Sequence, residues 1–370
     1  MTEIVLALNA GSSTLKCAAY RMIEGHPREL WSDSFKTEGA APGSGLELTL
    51  ERLRREGLPV PASIGHRVVH GGPKFTAPTV IDGVVLAELE KLVPLAPLHQ
   101  PPALALIRAA LELWPNARHV ACFDTAFHRT LPEMARRLPL PTKLDAAGIH
   151  RYGFHGLSCE FVLSELGVPP PARLLVAHLG SGASITAVRD GQSIDTTMGL
   201  TPTGGIPMGT RTGDLDPGVL LHLLRERGFS LDQLDRLVNH EAGLTALAGS
   251  AEVSVLLARA STHDAAALSA LRMFAYAIRK QIGAYFAALG GLDCLVFTGG
   301  IGENAPLVRE LACQGLQALG IELEDSANLQ SAPLISSKTS RCLVRVVRTN
   351  EALVIARAAY ALGRGTGSSG

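Results

Sequence analysis

Several features that mark secreted, membrane-spanning or nucleic-acid-binding chains are scarce in this sequence. Its 370 residues include only 6 cysteines, and no two of them stand in the Cys-x-x-Cys spacing of a metal or redox motif. Net charge is also lacking, since 34 basic residues balance 34 acidic ones, which argues against a nucleic-acid or anionic-membrane partner. No apolar run is long enough to span a bilayer, and no basic segment precedes the first apolar run as in a secretory signal. We therefore expect a cytoplasmic protein with reduced cysteines.

Hydrophobic residues, by contrast, are plentiful. They make up 46% of the chain against 18% charged residues, which suffices for buried cores and argues against a disordered polypeptide. Because 370 residues exceed what one core usually serves, we expect two domains. The stretch 363–370 is rich in glycine and serine, and we expect that tail to be disordered.

The first twenty residues predict a β-hairpin whose tip suits phosphate. An apolar run at 4–8 has the length and composition of a strand, a turn of small residues follows at 10–14, and a second apolar run reaches Tyr20. Backbone N–H groups, hydroxyls and the Lys16 ammonium at this tip match phosphate oxygens. A tight turn with an exposed lysine is the alternative. The pattern is not a Walker loop, because no second glycine precedes Lys16 and no helix follows.

The same layout recurs near the middle of the chain. An apolar strand at 172–179 enters a turn of small residues at 180–182, leaves as an alternating strand, and ends at a second turn, Asp190-Gly191. Two copies of a strand–turn–strand unit predict two similar α/β halves, each offering a phosphate-binding hairpin to a cleft between them.

Polar residues stand within or directly after other predicted strands. Arg67 interrupts an apolar strand that runs into a double-glycine turn, and a guanidinium there matches a carboxylate or phosphate bidentately. Asp124 ends a buried strand, at the edge where α/β folds place ligands, although capping of the next helix is the alternative. His155 lies in an aromatic and glycine cluster, where packing in a core is the alternative to catalysis.

Three loops are also informative. The segment 94–102 is too rich in proline for a helix, and we expect it to wrap a surface or a pocket wall. The long loop 195–217 carries Arg211 between threonines and acids, which suits a mobile anion clamp. The glycine-rich segment 299–304 follows a buried strand and precedes a helix near Pro306, so it predicts contact with the phosphates or sugar of a nucleotide.

Taken together, these motifs resemble the acetate kinase family. The segments that carry the resemblance keep the family's order and span nearly the whole chain: 9–16, 66–72, 123–128, 151–156, 208–217, 299–304 and 348–351. The resemblance implies an α/β fold of the actin, sugar-kinase and heat-shock ATPase group, with two ribonuclease-H-like domains of a duplicated βββαβαβα type flanking a nucleotide cleft. It implies a first domain of residues 1–125 to which the helix 350–362 returns, and a second, nucleotide-binding domain of residues 126–349.

Position by position, the resemblance also implies functional residues. Asp124 matches the family's essential acid, and His155 and Arg211 match the groups that stabilise the transferring phosphoryl group. Arg67 matches the residue that grips the acetate carboxylate. The methyl pocket of the family falls on Val69, Leu98, Phe154 and Pro202, and its Mg²⁺ (or Mn²⁺) ligands fall on Asn9 and Glu351. The nucleotide contacts fall on Ser12, Lys16, His178, Leu179, Gly180, Ser181, Gly182, Arg272, Met273, Phe274, Gly299, Gly300, Ile301, Gly302, Glu303 and Asn304.

Some positions depart from the family's usual pattern. Leu157 and Cys159 stand where threonine and histidine are common, Ser181 where asparagine is usual, Arg272 where aspartate is usual, and Thr14 where serine is usual. These changes affect the expected nucleotide contacts and spare the candidate catalytic groups. The chain is also short for the family, and we expect the trimming within 21–61.

The implied activity is reversible transfer of the γ-phosphoryl group of ATP to acetate, giving acetyl phosphate and ADP, by a homodimer without membrane or nucleic-acid partners. A carboxylate is ionised at neutral pH, so it needs positioning rather than a general base. We expect Asp124 to orient Arg67 or a water on the metal. A kinase for propionate or butyrate is the alternative within this class. An ATP-driven switch of the actin or chaperone type is the alternative outside it, and such a switch would not need Arg67, His155 and Arg211.

Overall fold

The computed structural model describes residues 3–10, 14–36 and 44–363. Its strands are β1 (Ile4–Ala10), β2 (Thr14–Ile23), β3 (His26–Lys36), β4 (Ser63–Val68), β5 (Thr79–Val80), β6 (Arg118–Phe123), β7 (Arg173–Leu179), β8 (Ala183–Arg189), β9 (Gln192–Thr196), β10 (Cys294–Thr298) and β11 (Leu343–Val346). Ser12 and residues 364–370 of the predicted tail lie outside the described residues. Gly363, the first residue of that tail, is the last residue of a helix.

The α-helices alternate with these strands along the chain. They are α1 (Ser44–Arg55), α2 (Gly83–Glu90), α3 (Gln100–Leu113), α4 (Glu133–Arg136), α5 (Thr142–Ala146), α6 (Gly156–Leu166), α7 (Pro217–Glu226), α8 (Leu231–Arg236), α9 (Gly243–Ala248), α10 (Val253–Ser261), α11 (Ala265–Leu289), α12 (Gly299–Asn304), α13 (Pro306–Cys313), α14 (Asp325–Leu329) and α15 (Glu351–Gly363). Short 3₁₀ turns cover Val93–Leu95, Ala126–Thr130 and Gln317–Leu319, and a π-helical turn covers Leu237–Glu241.

The chain divides into two compact units, each with one sheet. The first unit runs up to Arg129 and adds Gly156–Phe161 and the chain from Asn350 onward; the second unit comprises Thr130–His155 and Val162–Thr349. The first sheet has the order β3-β2-β1-β4-β6-β5, and the second, read from its other edge, has the order β9-β8-β7-β10-β11. In each sheet an antiparallel three-strand meander is followed by two parallel strands. The predicted duplication is therefore confirmed as a shared topology.

The sheet of the first unit is covered on one face by the last helix. Helix α15 packs on β1, β4 and β6, so these central strands are buried on both faces. Gly65 in β4 has no side chain for this reason, because a Cβ there would overlap the side chain of Ile355. On the other face, α1 and α3 bury Leu46 and Leu106 against the sheet.

Of two expectations about helix starts, the one for segment 94–102 was wrong and the one for Pro306 was confirmed. Helix α3 begins at Gln100, with Pro101 and Pro102 in its first turn, where the missing proline N–H groups cost no helical hydrogen bond. The helix predicted near Pro306 is α13, and the glycine-rich segment 299–304 before it forms the short helix α12. Proline or glycine therefore occupies the first turn of each of these helices.

Among the described residues, no single helix combines the length and apolar character needed to cross a membrane. One bent pair, Leu231–Glu241 with Gly243–Ser261, meets that test only when its two segments, which diverge by 79°, are taken together.

Candidate active site

Three polar side chains of the first unit stand at the carboxyl ends of neighbouring parallel strands. Asn9 lies near the end of β1, Arg67 near the end of β4, and Asp124 directly after β6, and these strands are adjacent in the sheet. The carboxyl edge of a parallel sheet is where open α/β folds bind ligands. The topology therefore brings together three candidates that are far apart in the chain.

Arg67 and Asp124 form a buried bidentate ion pair. The Arg67 Nε lies 3.1 Å from both carboxylate oxygens, and Nη2 donates to Oδ2 at 2.6 Å. Burial alone would lower the pKa of the Arg67 guanidinium, but the Asp124 and Glu351 carboxylates outweigh it and raise that pKa. Burial raises the pKa of the Asp124 carboxyl, and the attraction of Arg67 opposes this rise. Asp124, with 1% of its side chain exposed, thus fixes the orientation of a guanidinium that is 17% exposed.

Asn9 and Glu351 continue this cluster. Arg67 Nη1 donates to Asn9 Oδ1 at 3.2 Å, and Asn9 Nδ2 donates to Glu351 Oε2 at 3.4 Å. An amide oxygen and a carboxylate suit Mg²⁺, which takes a few protein oxygens together with water and substrate phosphates. The described residues contain no group of three or more His, Cys, Asp or Glu that could hold a metal by themselves. The donor set therefore fits a nucleotide-associated Mg²⁺ better than a metal held by protein alone.

Three other predicted residues of the first unit are Lys16, Val69 and Leu98. Lys16 is exposed and stands directly opposite Asn9 in the β1–β2 ladder. Val69 follows β4 and is 4% exposed, whereas Leu98 precedes α3 and is half-buried. The hairpin thus presents an ammonium beside the Asn9 position.

In the second unit, His155 packs on the β7–β8 hairpin. The turn is closed by Gly180 N–H donating to Gly182 O at 3.0 Å, and His178 stands opposite Ser184 in the ladder. The His155 ring stacks on His178 with 4.1 Å between centroids, and its Nδ1 lies 2.8 Å from Ser184 Oγ. The His155 backbone has φ of 59°, a left-handed conformation that is uncommon for a non-glycine residue and often marks a functional site.

Arg211 approaches the same hairpin. Its Nη1 donates to Pro202 O at 3.1 Å and lies 3.7 Å from Met208 Sδ. A Cβ placed on Gly182 would lie 3.4 Å from Arg211 Nη1 and 3.4 Å from His155 Nε2. Burial lowers the pKa of the Arg211 guanidinium, which nevertheless stays charged at neutral pH. Arg211 Nη1 and His155 Nε2 therefore both lie beside Gly182. Two such nitrogen atoms suit an anionic phosphoryl group.

The loop that carries Arg211 is held by hydrogen bonds within the loop and to Asn239. Gly205 and Asp214 exchange two hydrogen bonds of 2.7 Å, one of them from the Gly205 N–H to the Asp214 side chain. Thr203 and Thr210 donate to the side chain and the carbonyl of Asn239 at 2.6 and 2.8 Å. These bonds fix the backbone on both sides of Arg211.

A cavity of about 270 Å³ opens in the second unit beside the β7–β8 turn. Five predicted nucleotide contacts line it: Gly180, Ser181, Gly300, Ile301 and Asn304. Gly299, with φ of +77°, turns the chain from β10 into α12, and a Cβ there would lie 2.7 Å from Leu179 O. Glu303 Oε1 accepts hydrogen bonds from the N–H groups of Gly299 and Thr349, at 2.9 and 3.1 Å. The glycines thus let α12 close onto the end of β7.

Comparison with known proteins identifies the family of the chain. The model of the acetokinase family matches residues 33–357. The chain belongs to the acetokinase family. Acetate kinase of Streptomyces avermitilis is 43% identical over 97% of this chain and 90% of the relative, and acetate kinase of Micrococcus luteus is 41% identical over 98% and 100%.

Solved structures of the family share the fold. The propionate kinase of Francisella tularensis subsp. tularensis SCHU S4 superposes with a TM-score of 0.88 at 33% identity, covering 96% of this chain and 98% of the other. Porphyromonas gingivalis acetate kinase gives 0.86 at 34% identity, covering 97% and 99%. Membership makes the chain an α/β kinase with a duplicated actin-like ATPase core, which uses ATP and phosphorylates a carboxylate.

Some predicted nucleotide contacts lie away from the cavity. Arg272 and Met273 are exposed on α11, Phe274 is 1% exposed, and none of the three lines the cavity. The remaining wall is formed by residues that the sequence interpretation missed: Ala251, Glu252, Val253, Ser254, Leu257 and Ala305. The sequence carries little signal there, because α10 begins after Glu252 without a side-chain cap, and Ser250 Oγ accepts from the Glu252 N–H at 3.2 Å in the preceding turn.

The other predicted residues of the second unit are buried. Phe154 is 1% exposed, and Pro202 is buried beside Arg211. Leu179 is buried at the end of β7, and Gly302 is a buried residue of α12. These residues shape the site through packing and through their backbone groups.

Proposed function

We propose that this chain catalyses reversible transfer of the ATP γ-phosphoryl group to acetate, giving acetyl phosphate and ADP. The observation that supports this most directly is the Arg67 guanidinium, held by a bidentate contact with buried Asp124 and adjoining Asn9 and Glu351. A fixed cation beside oxygen ligands suits a small carboxylate that must approach a nucleotide. An ATP-driven switch has no use for such a carboxylate-binding group.

The chemistry proposed is a direct displacement. A carboxylate oxygen attacks the γ-phosphorus while the bond to the bridging oxygen of ADP breaks, and no proton is transferred because the acid is already ionised. Arg67 holds and partly neutralises the carboxylate, and Asp124 keeps Arg67 in place. Arg211 and a donor from His155 stabilise charge on the transferring group. The cavity between α10 and α12 takes the nucleoside.

Asn9 and Glu351 are the residues we propose for Mg²⁺, and Mn²⁺ shares its preference for oxygen ligands. When bound with the nucleotide, the ion supplies charge neutralisation at the phosphates.

We propose the methyl pocket that the family resemblance implies, formed by Val69, Leu98, Phe154 and Pro202. Propionate is the second candidate substrate, since a propionate kinase shares this fold with a TM-score of 0.88. One methylene in an apolar pocket changes transition-state binding by about 1–3 kcal/mol, so discrimination of about 10- to 200-fold is expected.

Trapping with hydroxylamine tests the proposal. The enzyme is incubated with ATP, Mg²⁺ and acetate, propionate or butyrate, and the acyl phosphate is measured as its hydroxamate. We expect the highest kcat/KM with acetate and a loss of at least about 100-fold in Arg67→Ala. A higher kcat/KM with propionate would support the second candidate. ADP release without any hydroxamate would overturn both.

Two further assignments are proposals of the same kind: a homodimer and a cytoplasmic location. Helix α7 buries none of its side chains and exposes Val219 and Leu221, a surface that a second copy of the chain would cover. Sedimentation equilibrium of the protein and of Leu221→Glu tests the dimer, with a shift toward monomer expected for the variant.

A further inference from the structure

Ser184, in strand β8 of the hairpin, contacts the candidate catalytic residue His155. Ser184 and His178 are directly opposite in the antiparallel β7–β8 ladder, so their side chains leave the same face of the sheet. The His155 ring contacts both residues: it stacks on the His178 ring and forms a hydrogen bond with the Ser184 side chain. Ser184 is only 1% exposed, which leaves its hydroxyl little freedom to turn to water.

The two ring nitrogens of His155 face different surroundings. Nδ1 lies 2.8 Å from Ser184 Oγ, whereas Nε2 lies beside Gly182, where Arg211 Nη1 also approaches. A neutral imidazole has one N–H donor and one lone-pair acceptor, so the bond at one nitrogen decides the proton at the other. If Nδ1 accepts a hydrogen bond, the proton must be on Nε2.

We propose that Ser184 is a positioning residue that donates its hydroxyl hydrogen to His155 Nδ1 and so keeps the ring proton on Nε2. In this tautomer Nε2 can donate to an oxygen of the phosphoryl group. The opposite tautomer would aim a lone pair at that anion. The catalytic consequence rests on the proposed function, whereas the tautomer itself does not. His178 adds the stacking surface that sets the plane of the ring.

Nitrogen NMR of the protein with ¹⁵N-labelled histidine reads the tautomer directly. Protonated and bare ring nitrogens of a neutral imidazole resonate far apart, and His155→Gln identifies the signals of His155. We expect a bare Nδ1 and a protonated Nε2 at neutral pH in the unaltered protein. We expect Ser184→Ala to populate both tautomers.

The kinetic arm compares the same variants. We expect kcat of Ser184→Ala to fall about tenfold, the equivalent of one hydrogen bond, with both KM values within about twofold. Ser184→Thr keeps the hydroxyl and should recover most of the loss. The matched control is Thr186→Val, because Thr186 lies two residues along the same face of β8, is fully buried, and shares its hydroxyl with Thr196 at 2.9 Å. That control should leave both kcat and the His155 spectrum unchanged.

The outcomes separate the two proposals. A protonated Nδ1 with a bare Nε2 in the unaltered protein would overturn the role of Ser184, and so would a Ser184→Ala variant with unchanged spectrum and kcat. The spectrum of the unaltered protein decides the tautomer even if Ser184→Ala fails to fold. A protonated Nε2 in a protein that makes no acyl phosphate would support the tautomer and overturn the proposed function.

Discussion

The fully buried carboxylate of Asp124 has one evident task, which is to hold Arg67. We expect Asp124→Asn to lower kcat/KM for acetate by about 100-fold or more, because an amide keeps one acceptor but loses the charge and the bidentate geometry. Removing one partner of a buried ion pair also costs about 3–5 kcal/mol in unfolding free energy. Steady-state kinetics with varied acetate and a thermal melt measure the two effects.

Asp33→Asn is the matched control for that change. Asp33 contacts Arg52 in the same unit, but the two side chains are 27% and 28% exposed, and exposed ion pairs contribute less than about 1 kcal/mol. The control should leave kinetics unchanged. Near-normal turnover and acetate affinity in Asp124→Asn would contradict the orienting role.

A second prediction at this scale concerns acid stability. His66 donates from Nε2 to His119 Nδ1 at 3.0 Å, because His119 Nε2 is committed to the Trp114 carbonyl at 3.1 Å. Burial lowers the pKa of His66 from 6.5 to about 3. Between pH 6.5 and about 3, His66 is protonated in the unfolded chain but neutral in the folded chain. The free energy of unfolding therefore falls as the pH falls below 6.5, by up to about 1.4 kcal/mol per pH unit.

Denaturant unfolding of His66→Gln at pH 7, 6, 5 and 4 checks this. Glutamine offers an N–H to His119 without titrating, so the variant should lose less stability on acidification than the unaltered protein. Parallel curves for the two proteins would show that other groups control acid unfolding.

At the scale of the element, the function proposed for the β7–β8 turn requires that Gly182 have no side chain. Gly182→Ala places a methyl 3.4 Å from both Arg211 Nη1 and His155 Nε2, which is tolerable packing but fills the space we assign to the phosphoryl group. We expect kcat/KM for ATP to fall about 100-fold with little change in melting temperature. In Gly283→Ala the methyl meets nothing within 4 Å in the middle of α11, so this control should keep activity and gain about 0.5–1 kcal/mol of stability.

Helix α12 is stabilised by the buried guanidinium of Arg309. Arg309 is 0% exposed and donates to Gly302 O at 2.8 Å, to Asn328 Oδ1 and O at 2.8 and 2.7 Å, and to Ser331 Oγ at 2.9 Å. Burial lowers its pKa to about 10. Arg309→Met orphans these acceptors and should cost at least about 3 kcal/mol of unfolding free energy, and it should raise KM for ATP.

Arg189→Met provides the comparison for Arg309→Met. Arg189 is exposed on β8 and donates to one carbonyl, that of Ala288, at 3.1 Å. Its loss should change stability by less than about 1 kcal/mol. Equal melting temperatures for the two variants would refute the role given to Arg309.

The elements also show where sequence patterns succeed. Both hairpins could be predicted because two apolar runs of strand length that flank a short turn of small residues are typical of a β-hairpin. The cavity wall at α10 was missed, because Val253 and Leu257 look like ordinary core residues of a short amphipathic helix. Nothing in a local pattern says that such a helix faces the end of another strand.

At the scale of the whole molecule, the candidate groups divide between the two units. Arg67 and Asp124 belong to the first unit, and Arg211 and His155 to the second. We expect Arg67→Ala to raise KM for acetate strongly. We expect Arg211→Ala to lower kcat far more than it raises either KM, because its contact forms mainly in the transition state. Initial rates over a grid of ATP and acetate concentrations check both, and preserved kcat with weakened binding in Arg211→Ala would count against its role.

The long-range part of the site could be predicted only in part. That Asn9, Arg67 and Asp124 share one edge follows from parallel strands whose carboxyl ends align. Glu351 stands 342 residues from Asn9, and its approach to within 3.4 Å depends on where the last helix docks, which strand patterns do not determine. Resemblance to a family supplied that position, whereas physical reasoning on the residues alone did not.

The docking of α15 on the first sheet has a consequence for biosynthesis. The groove above Gly65 that receives Ile355 is formed by strands translated early, but the helix that fills it leaves the ribosome only after all of the second unit. A nascent chain therefore carries β1 and β4 with one apolar face uncovered throughout that interval, which favours aggregation or chaperone binding. The first unit can therefore be completed only after the whole second unit has been synthesised.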